Sequence, residues 1–222
     1  MATVLLQSLL LASAGLFSVG SITLVILLLI SDQGWRNGLG YALGYFGAYS
    51  LIGVSIVLVG YQAAENQTAS QSNLAPIITI VLGSLLLWLS LSNWRKPAPD
   101  EKKESRFFSI IDTITPFKAF GFGALVSVIN FKNLALFLSA LSVVIISNLQ
   151  VTDKIIIALL VAFVFCQSVI IPVLICLLVP KKANQLLNGI KDWLGKHSRA
   201  IGIWFPLIFG LIFLLKGFTG LR

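Results

Sequence analysis

The stretch GALVSVINFKNLALFLSAL, residues 123–141, reads as a membrane-crossing helix except that Lys132 sits in its middle, two residues after Asn130 and directly before Asn133. A hydrocarbon core about 30 Å thick is crossed by roughly 20 mostly apolar residues in a helix. An ammonium held at bilayer centre costs about 2.5–3.5 kcal/mol on insertion scales, so such a lysine faces a cavity or a partner, or reaches back to the headgroups.

The rest of the chain puts that lysine in lipid rather than in water. Of 222 residues, 57% are hydrophobic and only 11% charged, and the mean hydropathy is +0.95. Six apolar runs of spanning length emerge, approximately 5–30, 39–61, 74–93, 117–147, 154–180 and 200–217. They are continuous rather than alternating, which excludes the strand pattern of an outer-membrane barrel and leaves helices to satisfy the backbone. The first run is too long for a secretory signal core, and Met1–Gln7 carries no basic residue. The expected fold is all-α and polytopic.

Basic residues set the expected orientation, since Lys and Arg are retained on the cytoplasmic side. Arg36, then Arg95, Lys96, Lys102, Lys103, Arg106 and Lys118, then Lys181, Lys182, Lys191, Lys196 and Arg199 fall in loops one, three and five. The opposite side holds Lys154, Lys216 and Arg222. Both termini are therefore expected outside a plasma membrane, such as a bacterial inner membrane. The net charge of +8 is mainly a topology signal. It is not accompanied by an aromatic-interleaved patch or a DNA-reading helix, which disfavours nucleic acid as a partner. Anionic headgroups on the cytoplasmic face are the expected contacts.

The loop RKPAPDEKKESR, residues 95–106, divides the chain into two groups of three spans, 1–93 and 117–222, with 94–116 as a cytoplasmic linker. An odd number of crossings inverts the second group relative to the first, the arrangement in which many transporters place a site at the bilayer midplane. The first span of each group carries a polar interruption, FSVGSIT at 17–23 and INFKN at 129–133. Ser18, Ser21, Asn130, Lys132 and Asn133 are thus candidate solute-binding residues. Gln167 in span five, ahead of the kink expected at Pro172, is another. Packing is the competing reading for the small residues, and the better one for Gly40 and Gly44 in span two, which have small-xxx-small spacing. Tyr41, Tyr45 and Tyr49, four residues apart, line either a solute path or a helix contact. NQLLNGIKDWLGKH places Leu186, Leu187, Ile190, Trp193 and Leu194 on one stripe, which predicts a short amphipathic helix, 184–197, lying flat in the headgroup layer.

All eight acidic residues lie in loops or at span edges, and the only histidine, His197, lies outside the spans. That disfavours metal binding and a carboxylate proton relay. The partner of Lys132 is then a carbonyl, Asn130, Asn133, Gln167, water, or an anionic group on a transported molecule, and the solute is expected to be anionic or zwitterionic, or a lipid precursor. No nucleophile–base pair is visible at depth, so no enzyme is expected and no cofactor is implied. Cys166 and Cys176 share one span and cannot pair along it. The sequon Asn66-Gln67-Thr68 is assigned no role, and a homo-oligomer is compatible with the sequence.

Several pieces in order resemble a known family. They are VILLLI followed by SDQGWRNGLGYALGYFGAYS at 31–50, VLGSLLLWLSLSNWR at 81–95, VSVINFKNLALFLSAL at 126–141, Pro172, and WLGKHSRAIG at 193–202 leading into FGLIFLLKGFTGL. Together these are similar to the GAP family, the glycopeptidolipid-addressing and sulfolipid-addressing proteins, within the LysE superfamily of six-helix exporters. The family's fourth-span motif is similar to Asn-Pro-Lys-Asn, matched by Asn130, Lys132 and Asn133 with Phe131 in place of proline. Its first-span motif is similar to Ser-Pro-x-Pro, where Ser18 matches and Val19 and Ser21 replace both prolines. The resemblance implies an exporter. An accessory protein for lipid export or assembly is the alternative.

Overall fold

A computed structural model of the chain describes residues 1–31, 33–65, 74–95 and 114–220. Most of the expected linker, residues 96–113, and the sequon at 66–68 lie outside the described residues. Among the described residues the protein is helical, without strands. The elements are α1 (Ala2–Ala12), a 3-10 turn (Ser13–Phe17), α2 (Val19–Ile30), α3 (Gly34–Glu65), α4 (Leu74–Arg95), α5 (Pro116–Ile129), α6 (Phe131–Ile146), α7 (Val151–Phe165), α8 (Gln167–Leu178) and α9 (Pro180–Gly220).

This is a membrane protein. Gly34–Gly60 and Arg199–Thr219 are each long and apolar enough to cross a bilayer alone. Three bent pairs pass the same criterion together: Ala2–Phe17 with Val19–Ile30, Pro116–Ile129 with Phe131–Ile146, and Val151–Phe165 with Gln167–Leu178, bent by 57°, 73° and 59°. The described residues therefore support two to five crossings rather than the six expected. α4, 22 residues long, is not among them.

Two features differ from the sequence reading. Span five bends at Cys166, six residues before Pro172, which is accommodated inside α8. At the bend the Val169 and Ile170 amides both donate to the Cys166 carbonyl, so Val169 does not take the Phe165 carbonyl as α-helical spacing would require. That carbonyl faces Gly15, where an added Cβ would lie 2.5 Å from it. The bend in span five is thus seated against the turn that interrupts span one. The flat helix expected at 184–197 is also not a separate element: α9 runs unbroken from Pro180 to Gly220. Proline opens it at a position where a missing N–H costs nothing. The polar residues around His197 and Arg199, read as a boundary, do not interrupt helical hydrogen bonding.

Two close seams fix the arrangement. Gly40 and Gly44 of α3 abut the backbone of Pro116 and Phe120 in α5, and Gly123 of α5 abuts the backbone of Tyr41. Side chains there would keep the helices apart, which is the physical content of the small-xxx-small spacing. Gly83 of α4 and Gly210 of α9 meet in the same way, each with the other's carbonyl 3.0 Å from its added Cβ. The bundle interior is aromatic: Tyr49 lies against Phe137 and Phe165 with ring centroids at 4.7 and 4.9 Å. At the opposite end from Arg199, Lys154 Nζ donates to the Ile145 carbonyl at 2.9 Å and caps the end of α6.

Candidate functional site

The two polar interruptions read from the sequence are the two helix breaks that meet in the bundle. Ser18 (φ −75°, ψ 81°) separates the 3-10 turn from α2, and Asn130 (φ −75°, ψ 77°) separates α5 from α6. One residue in nearly the same non-helical conformation breaks each span. Proline is absent from both, so the breaks are held by side chains. Asn130 Oδ1 accepts the Asn133 amide at 3.3 Å, an N-cap for α6. Ser18 Oγ donates to Ser21 Oγ at 2.9 Å across the equivalent interval in α2.

Asn133 joins the two breaks. Its Nδ2 donates to Ser18 Oγ, to Ser21 Oγ at 3.2 Å and to the Tyr45 hydroxyl at 3.1 Å. Ser21 Oγ in turn donates to Tyr45 at 3.1 Å. All four side chains are buried. Three separate spans are thus tied by one polar knot, where an unpaired group would cost about 1–3 kcal/mol. On either side of it the hydroxyls of Tyr41 and Tyr49 are buried without a hydrogen-bond partner among the described residues. The stripe on α3 therefore divides: Tyr45 takes part in the polar knot, while its neighbours make ring contacts.

Beside the knot lies a cavity of about 100 Å³ lined by Ala14, Phe17, Ser18, Val19, Gly20, Asn130, Lys132, Asn133, Leu136 and Ile201. Five of the six residues proposed from the sequence, Ser18, Ser21, Asn130, Lys132 and Asn133, are brought together here. Gln167 is not: its Nε2 donates to the Phe163 carbonyl at 3.3 Å, one turn back along its own span.

Lys132 lines the cavity without joining the knot, and among the described residues it has no hydrogen-bond or ion-pair partner. A Cβ added to Gly202 would lie 3.5 Å from its Nζ and 3.4 Å from Asn93 Nδ2. The α9 backbone here is unusual because Pro206 supplies no N–H to the carbonyl four residues earlier, that of Gly202. Asn93 Nδ2 fills the vacancy at 2.8 Å, and Ser90 Oγ donates to the next carbonyl, Ile203, also at 2.8 Å. Arg199 Nη2 donates to the Trp94 carbonyl at 3.2 Å on the same seam. Gly202 is about 4.5 Å along the helix from Arg199 at ~1.5 Å per residue. The ammonium therefore lies toward the basic end of the spans, whereas the knot at Tyr45 lies about 16 Å along α3 from Gly34 by the same rise.

Asn93 and Gly202 were not singled out as site residues from the sequence, and Tyr45 was read only as one of three tyrosines lining either a solute path or a helix contact. The signal for the first was an amide just inside the end of span three. For Gly202 it was a glycine four residues before Pro206. Among the described residues no group of three His, Cys, Asp or Glu side chains is placed to hold a metal ion.

A bundle of apolar helices, two of them broken face to face around a polar knot with an ammonium above it, defines a polytopic membrane protein with an internal polar site. The chain matches the family described as Sap, sulfolipid-1-addressing protein, over residues 9–219, and belongs to it. No curated protein and no solved structure matches the chain.

Proposed function

We propose that this protein moves an anionic or zwitterionic amphiphile across the membrane through the site between Ser18 and Lys132, with export as the direction implied by its likeness to six-helix exporters of the LysE superfamily. The observation that carries this reading is the ammonium of Lys132, without a hydrogen-bond or ion-pair partner among the described residues, at the rim of a cavity onto which two helix breaks open. α2 and α6 both begin at that cavity, so their N-terminal amides add positive potential where an anionic headgroup would sit. The knot of Asn133, Ser18, Ser21 and Tyr45 offers hydroxyls and an amide that can exchange partners with a polar headgroup. In this reading the protein performs no covalent chemistry and needs no cofactor.

The matching conformations at Ser18 and Asn130 support two inverted groups of three spans, with α4 as the sixth crossing and the Gly83–Gly210 contact near their shared axis. The route begins at the basic end, beside Lys132, and passes the knot deeper in the bundle.

Purified protein in liposomes, assayed with a labelled short-chain phosphatidylglycerol, tests the reading. Lys132→Ala should abolish flux while helicity is retained. Lys132→Arg should keep part of it, since charge is preserved and shape is not. Wild-type flux in the alanine variant would overturn the proposal and favour the accessory role that the family's description also allows.

A further inference from the structure

Beside the polar cavity lies a larger groove of about 740 Å³, lined by Leu16, Phe17, Ile22, Lys182, Gln185, Leu186, Gly189, Ile190, Trp193 and Leu194. It lies between the start of α9 and the interrupted part of span one. One wall carries Leu186, Ile190, Trp193 and Leu194 of the stripe expected to lie flat on the membrane. Ala183, Leu187 and Leu194 turn inward and are buried, while Leu186 and Trp193 are 46% and 53% exposed. The amphipathic end of α9 therefore lies over the break at Ser18, leaving an apolar trough open along one side.

We infer that this groove receives the acyl chains of an anionic two-chain lipid drawn laterally from the surrounding leaflet, with its headgroup at Lys182 and Gln185. The inference rests on the transport reading and adds the path by which the amphiphile reaches the site. Three observations converge. The groove's volume falls within the roughly 300–1,000 Å³ of ligand pockets, and seven of its lining side chains are aliphatic or aromatic. Its polar contributors are a cation and an amide at α9's first turns, where Lys181 and Lys182 are both exposed. That charge suits a phosphate or sulfate ester and offers nothing specific to an uncharged headgroup. Finally, Phe17 lines both the groove and the cavity of Lys132. The groove and the cavity are thus separated by one side chain, and because Lys182 lies about 30 Å along α9 from Gly202 at ~1.5 Å per residue, the headgroup passes along the groove from the first ammonium to the second with its chains in apolar surroundings.

Gly189 provides a clean test. It lines the groove, and a Cβ built on it meets no atom within 4 Å, so a side chain can be added at the trough without a clash at its Cβ. Binding is read by native mass spectrometry of the full chain in detergent, with dioleoyl phosphatidylglycerol and dioleoyl phosphatidylcholine as probes. Wild type should prefer the anionic lipid. Gly189→Leu should weaken its binding at least tenfold, and Lys182→Gln should weaken it several-fold while leaving phosphatidylcholine unchanged. Lys132→Ala should bind normally and still lose flux, which separates the groove from the transport site. Wild-type binding in both groove variants overturns the inference. So does unimpaired flux in Gly189→Leu, which would make the groove a resting place off the route. Equal competition by water-soluble glycerol phosphate would show a phosphate site without a chain site and overturn it as well. In each of those outcomes a flux defect in Lys132→Ala would leave the transport reading standing.

Discussion

Asn133 Nδ2 lies 3.1 Å from the Tyr45 hydroxyl, a bond between the second broken span and the straight helix α3 that also brings Ser18 and Ser21 into one buried cluster. Because the cluster replaces the prolines that would otherwise define the two breaks, its members carry stability as well as polarity. Asn133→Ala removes the donor common to three hydroxyls. It should destabilise the protein by about 1–3 kcal/mol, measured by thermal unfolding in detergent. Tyr45→Phe should cost about 1 kcal/mol, and the double variant should fall short of the sum, since both remove the same bond.

The two neighbouring tyrosines give the opposite expectation. Tyr41 and Tyr49 bury hydroxyls that have no hydrogen-bond partner among the described residues, so deleting those oxygens relieves a desolvation cost. Tyr41→Phe and Tyr49→Phe should leave the melting temperature unchanged or raise it, in contrast to Tyr45→Phe. A drop comparable to that of Tyr45→Phe would show that these hydroxyls are bonded in the membrane.

Pro206, Gly202 and Asn93 form a dependent set. Asn93→Ala should destabilise by about 1 kcal/mol by leaving the Gly202 carbonyl unpaired. Adding Pro206→Ala should restore the loss, because alanine supplies the N–H that the proline lacks. Equal effects of Asn93→Ala with and without the proline would refute the dependence.

Glycines of α3 separate contact from composition. A Cβ at Gly44 would run into the Phe120 backbone, whereas one at Gly47 meets nothing within 4 Å. Gly44→Ala should destabilise by about 3 kcal/mol or more through overpacking at a backbone seam. Gly47→Ala should be neutral or slightly stabilising, as alanine is the better helix former. The yield of folded protein after detergent extraction reports the difference.

The membrane class and both breaks in spans one and four were legible because each depends on local composition: long apolar runs, and small or amide side chains that compete for backbone groups. The cluster of Ser18, Ser21 and Asn133 followed from treating the two interruptions as one site. What escaped the sequence depends on pairings between distant segments. Nothing local distinguishes Tyr45 from Tyr41 and Tyr49; only the placement of Asn133 does. The bend in span five falls at Cys166 rather than Pro172 because Gly15 lets the span-one turn approach the Phe165 carbonyl, a contact across 150 residues. Polar residues near His197 looked like a helix end, yet polarity does not end a helix when no proline or cap competes. Gln167, polar and at a bend, satisfied itself on its own helix.

The unbroken course of α9 has a mechanical consequence. Gly189 on the groove and Gly202 beside Lys132 are separated by about 20 Å of helix at ~1.5 Å per residue, and no proline lies between them: Pro180 opens α9 and Pro206 lies beyond both. The segment between them behaves as a rod, so tilting it at the lipid-facing end displaces the backbone that flanks the ammonium. On the proposed reading, a lipid in the trough would act on the charge at the far end through the helix alone.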